Sequence, residues 1–590
     1  MVNIKINGKA LQVEDDITIL EAAKRVNVKI PTLCHNPDLP AWASCGLCIV
    51  RTAGPGSPRM ARACTTPVAE KMDIITHDPE IIATRRTVLE LILSNHPADC
   101  LQCPRNGNCE LQTLSAEASI REIPFKHISN GLPIDDSNPA IVLNPEKCIR
   151  CGRCVRVCQE VQNVWAIEFM GRGIKGRILP AENVSLGEGP CIKCGQCAAH
   201  CPVGAIYERD DTQKVWAALR NPGVHPVVQI APAVRIALAE EFGLPPGTNL
   251  TKQIYAALRR IGFKTVFDTN FSADLTVIEE GTELVRRLTE KGSTLPLITS
   301  CCPAWVDYME KYYPDMISNF STAKSPQQMM GAMIKAYWSG KAGVDPDKIF
   351  SVSVMPCTAK KWESHRNDDM KSAGHGWDVD ISITTRELAR MIKQSGVQIL
   401  KLEGEDADSP LGPYTGAGVI FGVTGGVMEA AVRTAYNLVT KKDMGDVNFR
   451  PARGLEGIKE AEVDFGVPVG GFGTKIRIAV AHQLANVGAV LDKIRSAREA
   501  GKETPYHFVE VMACRGGCIG GGGQPYGCTD EIRKLRTAGI YSDDEKSQIR
   551  CSHENHFVNQ VYKEFLGEPN GHKAHELLHT KYKELPLYTK

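Results

Sequence analysis

Residues 512–525 read Met-Ala-Cys-Arg-Gly-Gly-Cys-Ile-Gly-Gly-Gly-Gly-Gln-Pro, two cysteines run into four consecutive glycines. Glycine has no Cβ, so such a run lets backbone press against a bulky inorganic group or adopt dihedrals that other residues avoid. A group of that kind needs thiolate ligands. Two more cysteine motifs lie upstream, Thr-Ser-Cys-Cys-Pro-Ala-Trp at 299–305 and Met-Pro-Cys-Thr-Ala-Lys-Lys-Trp-Glu at 355–363, each just after an apolar run that reads as a buried strand. Similar runs recur around them: 225–230 before a helix-like 234–242, 296–299 before 303–313, 349–355, 418–423 before 426–438, and 508–512. Continuous Val/Ile-rich runs separated by helices predict parallel strands covered on both faces. Ligands of such sheets bind outside the carboxyl ends of the strands, which is where all three cysteine motifs fall.

The chain has 590 residues and 22 cysteines, which form compact clumps between 34 and 201 and then thin out to 551. The amino terminus, Met-Val-Asn-Ile-Lys-Ile-Asn-Gly, alternates like a strand and has no charged n-region or apolar h-region. The Arg85-Arg86 pair lies too deep for a twin-arginine signal, and no apolar stretch reaches about 18 residues. A soluble cytoplasmic protein with no membrane partner is the expectation. Disulfides are rare in that compartment, so the cysteines read as metal or cluster ligands at several separate sites. The formal net charge of +1, without a block of like charges, gives no footprint for nucleic acid.

Cys34, Cys45, Cys48 and Cys64 are spaced x10, x2 and x15 within a strand-rich segment. Four thiolates suit zinc, but the segment resembles a plant-type 2Fe-2S ferredoxin module with a first spacing longer than x4. His96-x3-Cys100-x2-Cys103-x5-Cys109 completes a second four-ligand set, which zinc and a 4Fe-4S cluster satisfy equally on these residues alone. The runs Cys148-x2-Cys151-x2-Cys154-x3-Cys158 and Cys191-x2-Cys194-x2-Cys197-x3-Cys201-Pro202 match the bacterial two-cluster ferredoxin, whose fourth cysteine crosses to the other cluster. That groups Cys148, Cys151 and Cys154 with Cys201, and Cys191, Cys194 and Cys197 with Cys158. Between the runs, Gly171-Arg-Gly173-Ile-Lys-Gly176 satisfies the dinucleotide pattern, but its flanks are the two halves of a ferredoxin and Arg177-Ile-Leu-Pro follows as an extended segment where the fingerprint needs a helix. The chain is therefore expected not to bind a nicotinamide itself.

Taken together, the motifs at 299–305, 355–363 and 512–525 resemble the active-site signatures of the FeFe-hydrogenases. The resemblance implies reversible proton reduction and H2 oxidation at an H-cluster, a 4Fe-4S cube bridged to a two-iron unit carrying CO, cyanide and a dithiolate. Carried over residue by residue, it makes Cys302, Cys357, Cys514 and Cys518 the cube ligands, with Cys518 also the bridge and Cys301 a free thiol. Lys360 and Gln327 would donate hydrogen bonds to diatomic ligands, Pro232 and Phe421 would wall the pocket, and Met355 and Met512 would pack sulfur against it. Ala233 departs from the Ser of some relatives. Cys528 and Cys551 read as small, partly buried residues. The proton route by carry-over runs from Arg287 and Glu283 through Ser321 and Glu280 to Cys301. Glu280, Glu283 and Arg287 share one helix face, which without the resemblance reads as a solvated charge stripe.

The same resemblance assigns the His96 set to a 4Fe-4S module of the kind found in respiratory complex I and large FeFe-hydrogenases. The implied fold is a multidomain α+β and α/β chain: a 2Fe-2S ferredoxin-like β-grasp module at 1–78, the His-ligated module at 79–125, a two-cluster ferredoxin at 126–212, and a two-lobed α/β H-cluster domain with a C-terminal helical segment at 213–590. One 2Fe-2S cluster and three accessory 4Fe-4S clusters would then serve the H-cluster. Implied partners are H2 and protons, ferredoxin and/or flavin-bearing NAD(P)H-oxidising subunits of an NAD(P)-linked or electron-bifurcating complex, and cluster-maturation proteins; a stand-alone ferredoxin-dependent enzyme is the alternative. A complex I relay subunit shares only the amino-terminal part. A hydrogenase-like cluster-assembly protein shares the other half but usually lacks the amino-terminal modules and the thiol at position 301.

Overall fold

The computed structural model describes residues 1–54 and 56–589, which separate into two compact units. The first comprises residues 1–161, 165–189 and 200–207. Strands β1 (Val2–Ile6), β2 (Lys9–Val13), β3 (Ile49–Gly54), β4 (Gly56–Arg62) and β5 (Asp73–Ile75) form a mixed sheet in the order β2-β1-β5-β3-β4. In β1, Ile4 and Ile6 point inward with Val13, Val50 and Ile74, and the helix Ile19–Arg25 covers them with Leu20 and Ala23. A capping box between Thr18 and Glu21 starts that helix. Further along the unit are the helices Pro79–Leu93 and Glu110–Glu117, the short strands β6 (Ile141–Leu143) and β9 (Ile206–Glu208), and the hairpin β7 (Ile167–Met170) and β8 (Arg177–Pro180). Gly171, Gly173 and Gly176 lie in the turn of this antiparallel hairpin and open no α-helix, so the dinucleotide pattern there is turn chemistry.

The second unit comprises residues 162–164, 190–199 and 208–590. Strands β10 (His225–Ile230), β11 (Thr265–Asp268), β13 (Ile349–Met355) and β14 (Ile381–Thr384) form an all-parallel sheet in the order β11-β10-β13-β14. Adjacent residues of β10 face opposite cores. Val228 packs with Ile254, Leu258, Leu388 and Ile392, whereas Val227 packs with Phe271, Met330 and Met333. Burial on both faces is why the strand is apolar without alternation. A second sheet is ordered β12-β17-β16-β15, with β12 (Leu297–Ile298), β15 (Ile458–Asp464), β16 (Lys475–His482) and β17 (Phe508–Met512). It is parallel except at β15, which pairs antiparallel with β16 at the edge and alternates polar and apolar residues.

One expected strand is absent: the apolar run at 418–423 lies in the helix Gly416–Ile420 and the turn leading to the helix Gly426–Thr440. A short apolar run does not distinguish a strand from a buried helix by periodicity. Here small residues decide, since a Cβ on Gly418 would lie 2.5 Å from the Asn270 carbonyl oxygen of the neighbouring helix Thr269–Thr289. Among the described residues, no helix is long and apolar enough to cross a membrane.

Candidate metal centre

The three cysteine motifs of the second unit leave the carboxyl ends of parallel strands. Cys301 and Cys302 follow β12 and open the helix Pro303–Tyr312, Cys357 follows β13, and Cys514 and Cys518 follow β17. All five line one cavity of about 80 Å³, together with Pro232, Ala233, Gln327, Met355, Lys360, Phe421 and Met512. Burial pushes the Cys357 and Cys518 thiols up to about 12, and the Cys302 charge adds to it in both. Cys514 is raised likewise, by burial and then by Cys357 and Cys302. Four thiolates crowded in an apolar-lined pocket repel one another unless a cationic core neutralises them, so the donor set fits an iron–sulfur cube.

The glycine run fits backbone to backbone. A Cβ on Gly521 would strike the Pro356 carbonyl beside Cys357, and one on Gly522 the Cys194 carbonyl. Gly517, at φ 91°, would meet the Thr424 amide nitrogen at 2.6 Å and the Met512 sulfur at 2.7 Å. Gly517 and Gly521 also face the cavity, so the run brings the second and third motifs into contact around it.

Lys360 lies at the cavity wall, where Nζ donates to the Cys301 carbonyl oxygen at 3.1 Å and to Glu363 Oε2 at 2.8 Å. Gln327 is placed there too, but its amide nitrogen donates to Glu363 at 3.1 Å and to the Lys360 carbonyl at 3.3 Å. Its amide oxygen accepts from Ser353 at 2.8 Å. Glu363, which sequence reasoning did not single out, ties these groups together. The Lys-x-x-Glu spacing on a short helix was the available signal.

Glu280, Glu283 and Arg287 lie on the helix Thr269–Thr289, and both carboxylates are buried, so the face is no solvated stripe. Burial raises Glu280 to about 8, the Ser321 hydroxyl opposing and the Glu283 charge assisting. The Ser321 hydroxyl and the Ser300 amide face Glu280, but neither meets its oxygens at full hydrogen-bond geometry. Glu280 in turn is the leading charge that raises Cys301, after burial itself. Glu283 accepts from Arg287 at 2.6 Å and from the Thr322 amide at 3.1 Å. Thr322 and the His579 ring share a 2.8 Å hydrogen bond, and His579 meets Glu279 at 3.0 Å. These last three residues were not read from the sequence, because their partners lie some 260 to 300 positions apart.

In the first unit, Cys34, Cys45, Cys48 and Cys64 converge. The Cys45 thiol, then the Cys64 thiol, hold Cys34 far below its usual range, and Cys48 and Cys64 sulfurs lie 3.3 Å apart. His96 is half-buried, its enclosed Nδ1 lacks a partner, and desolvation aided by the Lys147 charge lowers it to about 4. A neutral imidazole with a free nitrogen suits a metal ligand. Cys109 feels Cys103, while Cys100 is exposed at the turn between His96 and Cys103. Cys148 and Cys151 lie against Cys201, whose charge raises both after burial. Cys158 accepts from the Ala166 amide at 3.4 Å. Cys191, Cys194 and Cys197 belong to the second unit. Cys528 accepts from Arg536 at 3.5 Å, and Cys551 is buried with its thiol pushed up to about 11.

Family models match along the chain. Residues 224–522 match the iron only hydrogenase large subunit, C-terminal domain, and 530–585 the iron hydrogenase small subunit. Residues 1–79 match a 2Fe-2S iron-sulfur cluster binding domain, 85–124 the NADH-ubiquinone oxidoreductase-G iron-sulfur binding region, and 147–205 a 4Fe-4S dicluster domain. The chain is 45% identical to the NADP-reducing hydrogenase subunit HndD of Solidesulfovibrio fructosivorans, covering 99% of both. It is 38% identical to iron hydrogenase 1 of Clostridium pasteurianum, covering 99% of this chain and 100% of that one. A solved structure of the [FeFe]-hydrogenase HydA1 from Chlamydomonas reinhardtii superimposes with a TM-score of 0.56 at 42% identity, over 64% of this chain and 99% of the other. With the cysteine-lined cavity built from the same stretch that the large-subunit model covers, the chain belongs to the FeFe-hydrogenases, the iron-only hydrogenase family.

Proposed function

We propose that this hydrogenase is the hydrogen-converting subunit of a cytoplasmic NAD(P)-linked assembly, exchanging electrons with a flavin-bearing partner. The observation that carries the reading is the buried cavity where Cys302, Cys357, Cys514 and Cys518 meet beside a fifth thiol, Cys301. Those four cysteines would hold the 4Fe-4S cube, Cys518 also bridging to a two-iron unit with CO, cyanide and dithiolate. When bound, this H-cluster would supply the redox-active iron for interconverting two protons and two electrons with H2, the electrons passing to or from the partner protein.

The chain's own residues keep the site dry and move protons. Pro232, Phe421, Met355 and Met512 wall the cavity and exclude water, which strengthens every charge interaction inside. Lys360, anchored by Glu363, presents its ammonium there. Burial keeps the Cys301 sulfur protonated, so it carries a proton at the cavity wall. Glu280, poised near 8, accepts and donates at neutral pH and reloads Cys301. The Ser321 hydroxyl links Glu280 outward, and Glu283, paired with Arg287, is the outer station.

The accessory set would comprise a 2Fe-2S cluster on the Cys34, Cys45, Cys48 and Cys64 β-grasp module, a 4Fe-4S cluster on His96, Cys100, Cys103 and Cys109, and two 4Fe-4S clusters on the ferredoxin runs. The NADP-linked name of the full-length relative and the oxidoreductase-G region at 85–124 support a flavoprotein partner over a soluble ferredoxin alone. Maturation proteins would deliver the two-iron unit. The test is the infrared spectrum of the native enzyme: bands of iron-bound CO and cyanide are expected, and their absence from an enzyme active with a viologen refutes the site. Co-purification should capture a flavoprotein, while calorimetry on the isolated chain should show no NAD(P)H binding. Tight binding would overturn the division of labour.

A further inference from the structure

We propose that Gln196 sets the reduction potential of the cube by hydrogen-bonding the sulfur of Cys514, an inference that rests on the reading of Cys514 as a cube ligand. Gln196 starts the helix Gln196–His200 and is buried. Its amide Nε2 lies 3.2 Å from Cys514 Sγ and 3.0 Å from the Gly520 carbonyl oxygen. A carbonyl oxygen only accepts, so the bond to Gly520 fixes the amide with its N–H groups, not its oxygen, toward both partners.

The loop that carries Gln196 is held firmly. Thr358 Oγ1 donates to the Lys193 carbonyl at 2.7 Å, Lys193 Nζ pairs with the buried Asp307 at 2.6 Å, and Gly522 packs on the Cys194 carbonyl. Gln196 therefore reaches Cys514 as a positioned donor. Cys302 and Cys357, by contrast, take backbone amides, from Ala513 and Trp305 and from Lys360 and Ala359. Side-chain substitution leaves those amides in place. Gln196 is the adjustable one.

An N–H donor on a cluster sulfur favours the more negative, reduced state, and a buried bond does so more strongly. Removing it should make reduction harder. In Gln196→Leu the donor is gone; in Gln196→Asn it is one methylene short while the site stays polar, so this variant decides the matter if the Leu protein fails to load. The measurement is infrared-monitored redox titration of the native enzyme. Both variants should keep the CO and cyanide bands and disfavour the reduced cube about tenfold, which is about 59 mV more negative for one electron. Wild-type protein without the bands would sink the cube-ligand reading itself. Bands present in a variant whose midpoint equals wild type would overturn the role of Gln196.

Discussion

Adjacent residues Glu279 and Glu280 have opposite fates. Glu279 is satisfied three ways, by Tyr562, by the Asn570 amide at 2.7 Å and by His579 at 3.0 Å. Glu280 has only the Ser321 hydroxyl and the Ser300 amide facing it, short of full hydrogen-bond geometry, and burial forces it upward to about 8. A buried carboxyl so poorly satisfied costs stability, and its charge acting on Cys301 points to chemistry. Glu280→Gln keeps the shape but cannot cycle a proton, and Cys301→Ala removes the last donor; each should lose about 10²- to 10⁴-fold in turnover while the infrared bands persist. Normal turnover in either, with the cofactor bound, would remove that residue from the route. The pH profile adds a sign. In H2 evolution the relay must arrive protonated, and the protonated fraction of Glu280 falls as pH rises through about 8, so evolution should decline there. In H2 oxidation the relay must be empty, so the rate should climb across the same window. The inflection should vanish from the residual activity of Glu280→Gln.

At the scale of elements, the helix Thr269–Thr289 carries both the proposed relay on Glu280 and Glu283 and, on Glu279, a lock that holds the C-terminal segment. Tyr562, the Asn570 backbone amide and His579 all converge on that one carboxylate, and the bridge between Ala323 and His579 extends the contact. Glu279→Ala would strand two buried polar groups, Tyr562 and His579, and the half-buried Asn570, a cost on the order of 3–5 kcal/mol for a broken buried network. Hydrogen exchange should then rise across residues 556–580 while β10 and β13 keep their protection; unchanged exchange at 556–580 would show that the lock carries no load. The helix itself was legible from its spacing, as were β10, β13 and β17 from unbroken Val/Ile runs buried on both faces. What covers the helix was not, because its partners lie near 560–580 and local pattern carries no information about them. That is why Glu280 and Glu283 read as a solvated stripe. The run at 418–423 misled for a related reason: hydrophobicity marks burial, and only the contact of Gly418 with Asn270 shows that a helix is buried there. Likewise the cysteine motifs announced which thiols the fold gathers at the cavity, whereas the contacts of Gln196, Glu363 and His579 are tertiary ones that no spacing encodes.

For the whole molecule, the question is what the first 125 residues contribute. They contain the two amino-terminal sets proposed to hold clusters and none of the three cavity motifs, so the proposed reading gives them electron transfer and not the reaction. They are also tied to the ferredoxin runs within the first unit. Arg153 pairs with Glu110 at 2.7 Å, Arg156 donates to the Cys34 carbonyl at 2.7 Å and to Pro40, and Arg105 donates to the Cys201 carbonyl at 2.9 Å. Arg153 and Arg156 are nearly fully buried by these contacts. Removing residues 1–125 therefore exposes two guanidinium groups and an apolar neighbourhood, and the truncated protein should be less soluble and should melt earlier. The second unit keeps its own sheets, its cavity and every residue of the proposed relay. A small-molecule reductant that delivers electrons without a docking surface should accordingly sustain hydrogen evolution at a substantial fraction of the full-length rate per loaded H-cluster. The natural partner, deprived of the 2Fe-2S and His-ligated stations, should lose most of its rate. The decisive comparison is the ratio of the two activities, normalised to infrared-detected cofactor so that misfolded protein does not count. A ratio unchanged from full length would mean that electrons enter without the amino-terminal modules, and that their wiring role is wrong.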